Sequence, residues 1–166
     1  MNTIPDTVDL SEFGFEEYEG EHRGAPEEAA FSPDGRYAYA SNYSMYGPGF
    51  GRPGSDSCSP ASGYDDSFVY RIDTSTLEID RVIEVGSVPK FVAVTPDDRF
   101  VLVGNWCSYT LSVISVTKAR EVRRVELGRY PRGIAASPDA KTAYVAVMGT
   151  AKYRQGRPGK LRRGLD

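Results

Sequence analysis

The sequence is poor in the residues that carry most enzymatic chemistry. His22 is the only histidine among 166 residues, and it sits in an acidic stretch. A Ser-His-Asp or Cys-His set would rest on that one residue. Carboxylates are plentiful, but no spacing singles out a hydrolytic pair. Two cysteines, Cys58 and Cys107, are too few for a disulfide-framework protein. No apolar run approaches the ~20 residues that span a bilayer. The start, Met1 to Asp6, lacks the basic and apolar regions of a signal peptide, so none is expected from the sequence as given. The net charge of -3 predicts no general attraction to nucleic acid. No metal or cofactor is expected. Asp56, Asp65 and Asp66 fit no calcium-loop spacing. The Gly-x-Gly elements near Gly47 follow no strand-to-helix context.

What is present points to β structure. Tyr (11 residues), Gly (17) and Pro (11) suit short strands and many turns, and argue against a helical bundle. Charge is segregated to the ends. Residues 1–23 form an acidic segment, and residues 150–166 form a basic tail expected to be disordered. The basic tail keeps nucleic-acid binding open as a third reading of function.

Three segments repeat. They start at Pro26, Pro89 and Pro131, and each has a second proline seven residues on, at Pro33, Pro96 and Pro138. Pro89 and Pro131 lie 42 residues apart, and Pro26 and Pro89 lie 63 apart. The excess falls in one Gly/Pro/Ser-rich insertion, residues 46–66. Within each unit, Ser32-Pro33-Asp34-Gly35, Thr95-Pro96-Asp97-Asp98 and Ser137-Pro138-Asp139-Ala140 read as turns. Phe91–Val94 reads as a central strand buried on both faces. Phe100–Val103, Leu111–Val116 and Val122–Leu127 read as the next three strands. Four strands in about 42 residues is the length of a propeller blade.

The predicted fold class is therefore all-β, with propeller blades of four antiparallel strands. Blade one spans 26–86 with the insertion, blade two 89–128, and a partial blade three 131–149. That is about two and a half blades, an incomplete propeller, whereas propellers have typically four to eight. Beyond Val147 the sequence loses strand-like alternation. A fragment, or a unit that self-associates through an open blade edge, is expected.

Tyr39-Ala40-Ser41-Asn42 and the Ser-Pro-Asp-Gly turn carry a family likeness. Over residues 24–149 the chain resembles the YVTN-type β-propeller repeat proteins. These share a seven-bladed superfamily shape with lactonase-like and nitrite-reductase-like propellers. The resemblance implies a fold but no single activity. It also implies a bacterial, extracytoplasmic protein, although no signal peptide is present.

The same analogy makes one face the ligand side, where strand two joins strand three and strand four joins the next blade. Its candidate residues are Lys90 and Arg132, one residue after the repeat prolines, with Asn42, Tyr43, Asn105 and Trp106 at the ends of the second strands. Lys90 and Arg132 suit an anionic ligand. Trp106 suits stacking or packing against the insertion. Asn42 and Asn105 suit turn capping. Cys58 and Cys107 fall in corresponding loops of adjacent blades, so a disulfide pinning the insertion over this face is expected. The functional reading is a non-catalytic binding or scaffold module for an unknown small molecule or protein. A lactonase-like hydrolase fragment is the alternative.

Overall fold

The computed structural model describes residues 7–16, 21–23, 26–42 and 57–148. Tyr43, the insertion up to residue 56 and the basic tail lie outside the described residues. Strands β3 (Pro26–Phe31), β4 (Tyr37–Asn42), β5 (Ser67–Asp73) and β6 (Glu78–Val85) form one antiparallel sheet in chain order. Strands β7 (Pro89–Val94), β8 (Phe100–Asn105), β9 (Thr110–Ser115) and β10 (Arg120–Glu126) form the second. β11 (Pro131–Ala136) pairs with β12 (Ala143–Val147) in a third, two-stranded sheet. Two short strands precede these, β1 (Thr7–Asp9) and β2 (Glu21–Arg23), paired antiparallel. The sheets form part of a propeller and do not close a ring.

The repeated turn has a common physical cause. In each copy the hydroxyl of the first residue donates to the Asp carboxylate: Ser32 to Asp34 (2.6 Å), Thr95 to Asp97 (2.7 Å) and Ser137 to Asp139 (2.6 Å). The same carboxylate accepts a backbone N–H two residues on, from Arg36, Arg99 and Lys141. The hydroxyl oxygen accepts the N–H five residues on, from Tyr37, Phe100 and Thr142, at or just before the start of the next strand. The fourth turn position is left-handed in all three, at Gly35 (φ 72), Asp98 (φ 55) and Ala140 (φ 55). These hydrogen bonds hold the Asp34 and Asp139 carboxyls below the usual carboxylate range.

The sheets pack face to face. Tyr39, Val69, Ile83 and Val85 of the first meet Val92, Val101, Val103 and Ile114 of the second. Leu102, Leu111 and Val113 of the second meet Ile134, Ala143 and Val145 of the third. Each fully buried aliphatic side chain contributes about 1.5–3 kcal/mol, so these two seams set the blade stacking. The first strands β3, β7 and β11 lie side by side, whereas the outermost strands β6 and β10 meet over a shorter stretch. That wedge is the propeller geometry.

One expectation differs. The first strand of a blade is not buried on both faces: Phe91, Ala93 and Val94 are half-exposed, and most of β3 is exposed. The fully buried strand is the third, β9, with β5 close to it. A first strand has a sheet partner on one side only and lines the axial opening, whereas a third strand has strands on both sides and a blade over its face.

Candidate ligand face

The β6–β7, β8–β9 and β10–β11 loops share one end of the sheets with the chain entering β5. Two backbone bonds join the second sheet's loops: Trp106 N–H donates to the Val88 carbonyl (2.8 Å) and Cys107 N–H to the Ser87 carbonyl (3.2 Å). The next repeat reproduces the first, with Met148 N–H donating to Tyr130 (2.9 Å). Val88 adopts φ 57 while fully buried, a conformation that a β-branched residue takes only under strain.

Cys58 and Cys107 are disulfide-bonded, with Cα atoms 5.3 Å apart. The bond ties the chain entering β5 to the β8–β9 loop of the neighbouring sheet. Around it Cys58, Val88, Trp106 and Cys107 form a small buried cluster flanked by Tyr64, Phe91, Tyr130 and Met148. The Cys58 carbonyl accepts from the Tyr109 hydroxyl (3.2 Å) and from the Tyr130 hydroxyl. Burial pushes the Tyr109 hydroxyl up to about 12, with the Tyr130 contact adding to the shift.

Trp106 is the hub. It is 1% exposed and stacks on Tyr130 with ring centroids 4.3 Å apart. The Lys90 ammonium lies 4.4 Å and the Arg132 guanidinium 4.7 Å from its ring centroid. Lys90 is buried, at 7% exposure; Arg132 is exposed, and one of its N–H groups reaches the Met148 sulfur at 3.3 Å. Sequence position brings both cations onto one ring because each follows a repeat proline on adjacent first strands.

The other candidates face inward. Asn105 is fully buried, and its amide nitrogen donates to Thr110 Oγ1 (2.9 Å) and Ser112 Oγ (2.8 Å). Asn42 is fully buried, and its amide nitrogen donates to the Tyr70 hydroxyl (2.8 Å). Both amides tie the second strand of a blade to the third. Gly86 makes this possible at Asn105: a Cβ there would lie 2.7 Å from the amide nitrogen and 2.5 Å from Ser108 Oγ.

Sequence reasoning missed two contributors. Tyr130, just before a repeat proline, carries the aromatic stack. Glu28, two residues after the repeat proline Pro26, accepts the Val92 N–H at 2.7 Å across the blade boundary. Ser41 assists by donating to the Lys90 carbonyl at 3.1 Å. A charged residue two positions after the repeat proline, where the other copies carry Phe91 and Gly133, was the available signal for Glu28. Among the described residues, no group of three His, Cys, Asp or Glu side chains converges as a metal cradle.

A family model described as "Lactonase, 7-bladed beta-propeller" matches residues 14–126. Among solved structures, Kuenenia stuttgartiensis hydrazine synthase is 30% identical with a TM-score of 0.61, over 82% of this chain and 34% of that one. The β-propeller domain of Myceliophteria thermophila Cps50 (Swd1) is 11% identical with a TM-score of 0.61, over 96% and 38%. The WD40 β-propeller domain of Doa1 is 11% identical with a TM-score of 0.55, over 76% and 34%. The last two show the fold alone. The chain spans about a third of the length of these propeller chains. No curated protein matches. The matched region covers both four-stranded sheets and β2, and the chain belongs to the lactonase seven-bladed β-propeller family.

Proposed function

We propose that this chain is a ligand-binding part of a β-propeller, taking an anionic small molecule beside Arg132 on the disulfide-sealed face. The supporting observation is the pair of cations on one indole, Lys90 at 4.4 Å and Arg132 at 4.7 Å. Two like charges on one ring repel, and an anion between them offsets that repulsion. The exposed guanidinium supplies a planar donor fork suited to a carboxylate or phosphate. Trp106, Tyr130 and the disulfide hold this arrangement rigid before a ligand arrives. The disulfide also favours an oxidising compartment. In this reading the chain binds without catalysing.

The test is titration calorimetry with inorganic phosphate and with citrate. Saturable binding of either, weakened about tenfold or more in Arg132→Ala, is expected, because a charge-assisted hydrogen bond contributes about 1.5–3 kcal/mol. Absence of saturable binding by both probes, or unchanged affinity in Arg132→Ala, overturns it.

The family match favours a second reading, hydrolysis of a lactone by the complete propeller. Turnover of a simple lactone by the purified chain would support it over pure binding.

A further inference from the structure

We propose that the Cys58–Cys107 bond is a redox switch for the β6–β7 loop: reduction by a dithiol lets this loop relax and loosens the Trp106 platform. The loop change stands on backbone geometry alone, whereas its effect on binding rests on the ligand reading above.

The chain contains one loop twice, in two backbone forms. Gly86-Ser87-Val88-Pro89 leads from β6 into β7, and Gly128-Arg129-Tyr130-Pro131 leads from β10 into β11. In both, the carbonyl before the proline accepts an N–H from the residue after β8 or β12, Trp106 at 2.8 Å and Met148 at 2.9 Å. In the second loop the left-handed residue is Gly128 (φ 71), and a glycine adopts that conformation freely. In the first loop Gly86 is not left-handed and Val88 is, at φ 57. Val88 is β-branched and precedes a proline, and each property disfavours that conformation. The β6–β7 loop is therefore held in the strained one of two forms, and the relaxed form is occupied one blade further on.

Strain of this kind persists only where the surroundings over-determine it. Two holds are present. Gly86 is pressed against the Asn105 amide, and its N–H reaches Ser112 Oγ at 3.4 Å. The Ser87 carbonyl accepts the Cys107 N–H at 3.2 Å, and Cys107 is fixed by its bond to Cys58. Val88, Trp106 and both cysteines share one buried cluster, so the strained residue, the disulfide and the indole pack on each other. The Cys58 carbonyl also holds the Tyr109 and Tyr130 hydroxyls, and Tyr130 is the ring stacked on Trp106. Breaking the disulfide releases the second hold and the stretch that positions Tyr130. Cys58 is the sulfur a reductant reaches on local opening, because its neighbour Ser57 is exposed while Trp106, beside Cys107, is buried. Attack of a dithiol's thiolate there breaks the S–S bond, forms a mixed disulfide at Cys58 and expels the Cys107 thiolate, which takes up a proton. The reductant's second thiol then displaces Cys58, which is protonated in turn, and the reductant leaves as a cyclic disulfide. Two electrons pass from the dithiol to the protein.

The test treats the full chain with dithiothreitol in the absence of denaturant. Trp106 is the single tryptophan, so intrinsic emission reports this site alone. Emission wavelength is the readout, because loss of a neighbouring disulfide changes intensity by itself. Two thiols per chain, a red shift of Trp106 emission and faster hydrogen exchange of the Cys107 amide by NMR are expected, with the far-UV circular dichroism unchanged. Cys58→Ser/Cys107→Ser should show the same emission and exchange without reductant. Phosphate or citrate should bind the reduced protein about tenfold more weakly, since two long cationic side chains must be ordered afresh. If neither anion binds the oxidised protein, the ligand reading falls, and emission and exchange decide the loop switch on their own. Reduction that requires denaturant, unshifted emission, unchanged Cys107 exchange, or equal anion affinity in the two redox states overturns the proposal.

Discussion

The Cys58–Cys107 bond closes a loop with a sequence separation of 49 residues and spans two sheets. Constraining that loop in the unfolded chain stabilises the folded one by about 4 kcal/mol at 25 °C on the chain-entropy account. The Cys58→Ser/Cys107→Ser double variant should therefore lose about 4 kcal/mol in urea unfolding. Its melting temperature should fall by roughly 8–16 °C, at about 2–4 °C per kcal/mol for a chain of this size. The effect acts largely through the unfolded state, so two further signs are expected. The urea m-value should rise, because the open unfolded chain exposes more surface. The far-UV spectrum of the folded variant should match wild type, because both cysteines lie outside the strands. A thiol count on denatured, non-reduced wild type should find none reactive. Two reactive thiols, or a loss below about 1 kcal/mol, would refute the reasoning.

Gly86→Ala should cost about 3 kcal/mol, from overpacking against Asn105 and disturbance of its two buried hydrogen bonds. Its repeat equivalent Gly128 has open space and φ 71, so Gly128→Ala should cost only the left-handed penalty of about 1–2 kcal/mol; the reverse order in thermal melts would sink this account. Asp98→Gly should stabilise by about 1 kcal/mol at neutral pH, since Asp98 holds φ 55 and has a buried carboxylate oxygen without a partner. Burial, then Asp34 and Asp97, push the Asp98 carboxyl up. Its penalty is therefore present above the raised value and relieved as pH falls through it, so the gain from Asp98→Gly should shrink in acid urea titrations. Burial also pushes the Tyr39 hydroxyl up to about 12 from 10.0, against the pull of the Arg71 charge. Stability should fall as pH rises through that window, because the unfolded chain ionises first. Tyr39→Phe, which loses a hydroxyl without a hydrogen-bond partner, should be close to neutral at pH 7 and show a flatter alkaline decline.

Most of the architecture was legible because a propeller writes one local rule several times. The Ser-Pro-Asp turns recur since each uses the same hydroxyl–carboxylate bond, and the four-strand pattern follows from their spacing. The β1–β2 pair was not legible. It lies in an acidic run without apolar alternation, and its strands are three residues each. The candidate face was read in part. Lys90 and Arg132 could be found from their place after the repeat prolines, but their shared ring could not. Asn42 and Asn105 looked like loop-end residues, whereas the third strand draws their amides inward. Tyr130 carried no motif and became central only through stacking.

The sequence alone determined the period, the turn chemistry, the division into sheets and the placement of both cysteines in corresponding loops. These depend on local backbone preference and on residue spacing. The tertiary structure decided which side chains are buried on the candidate face, and that Trp106 serves as a platform for two cations. Those features arise from contacts between sheets, and the repeat pattern of a single blade contains no term for its neighbour.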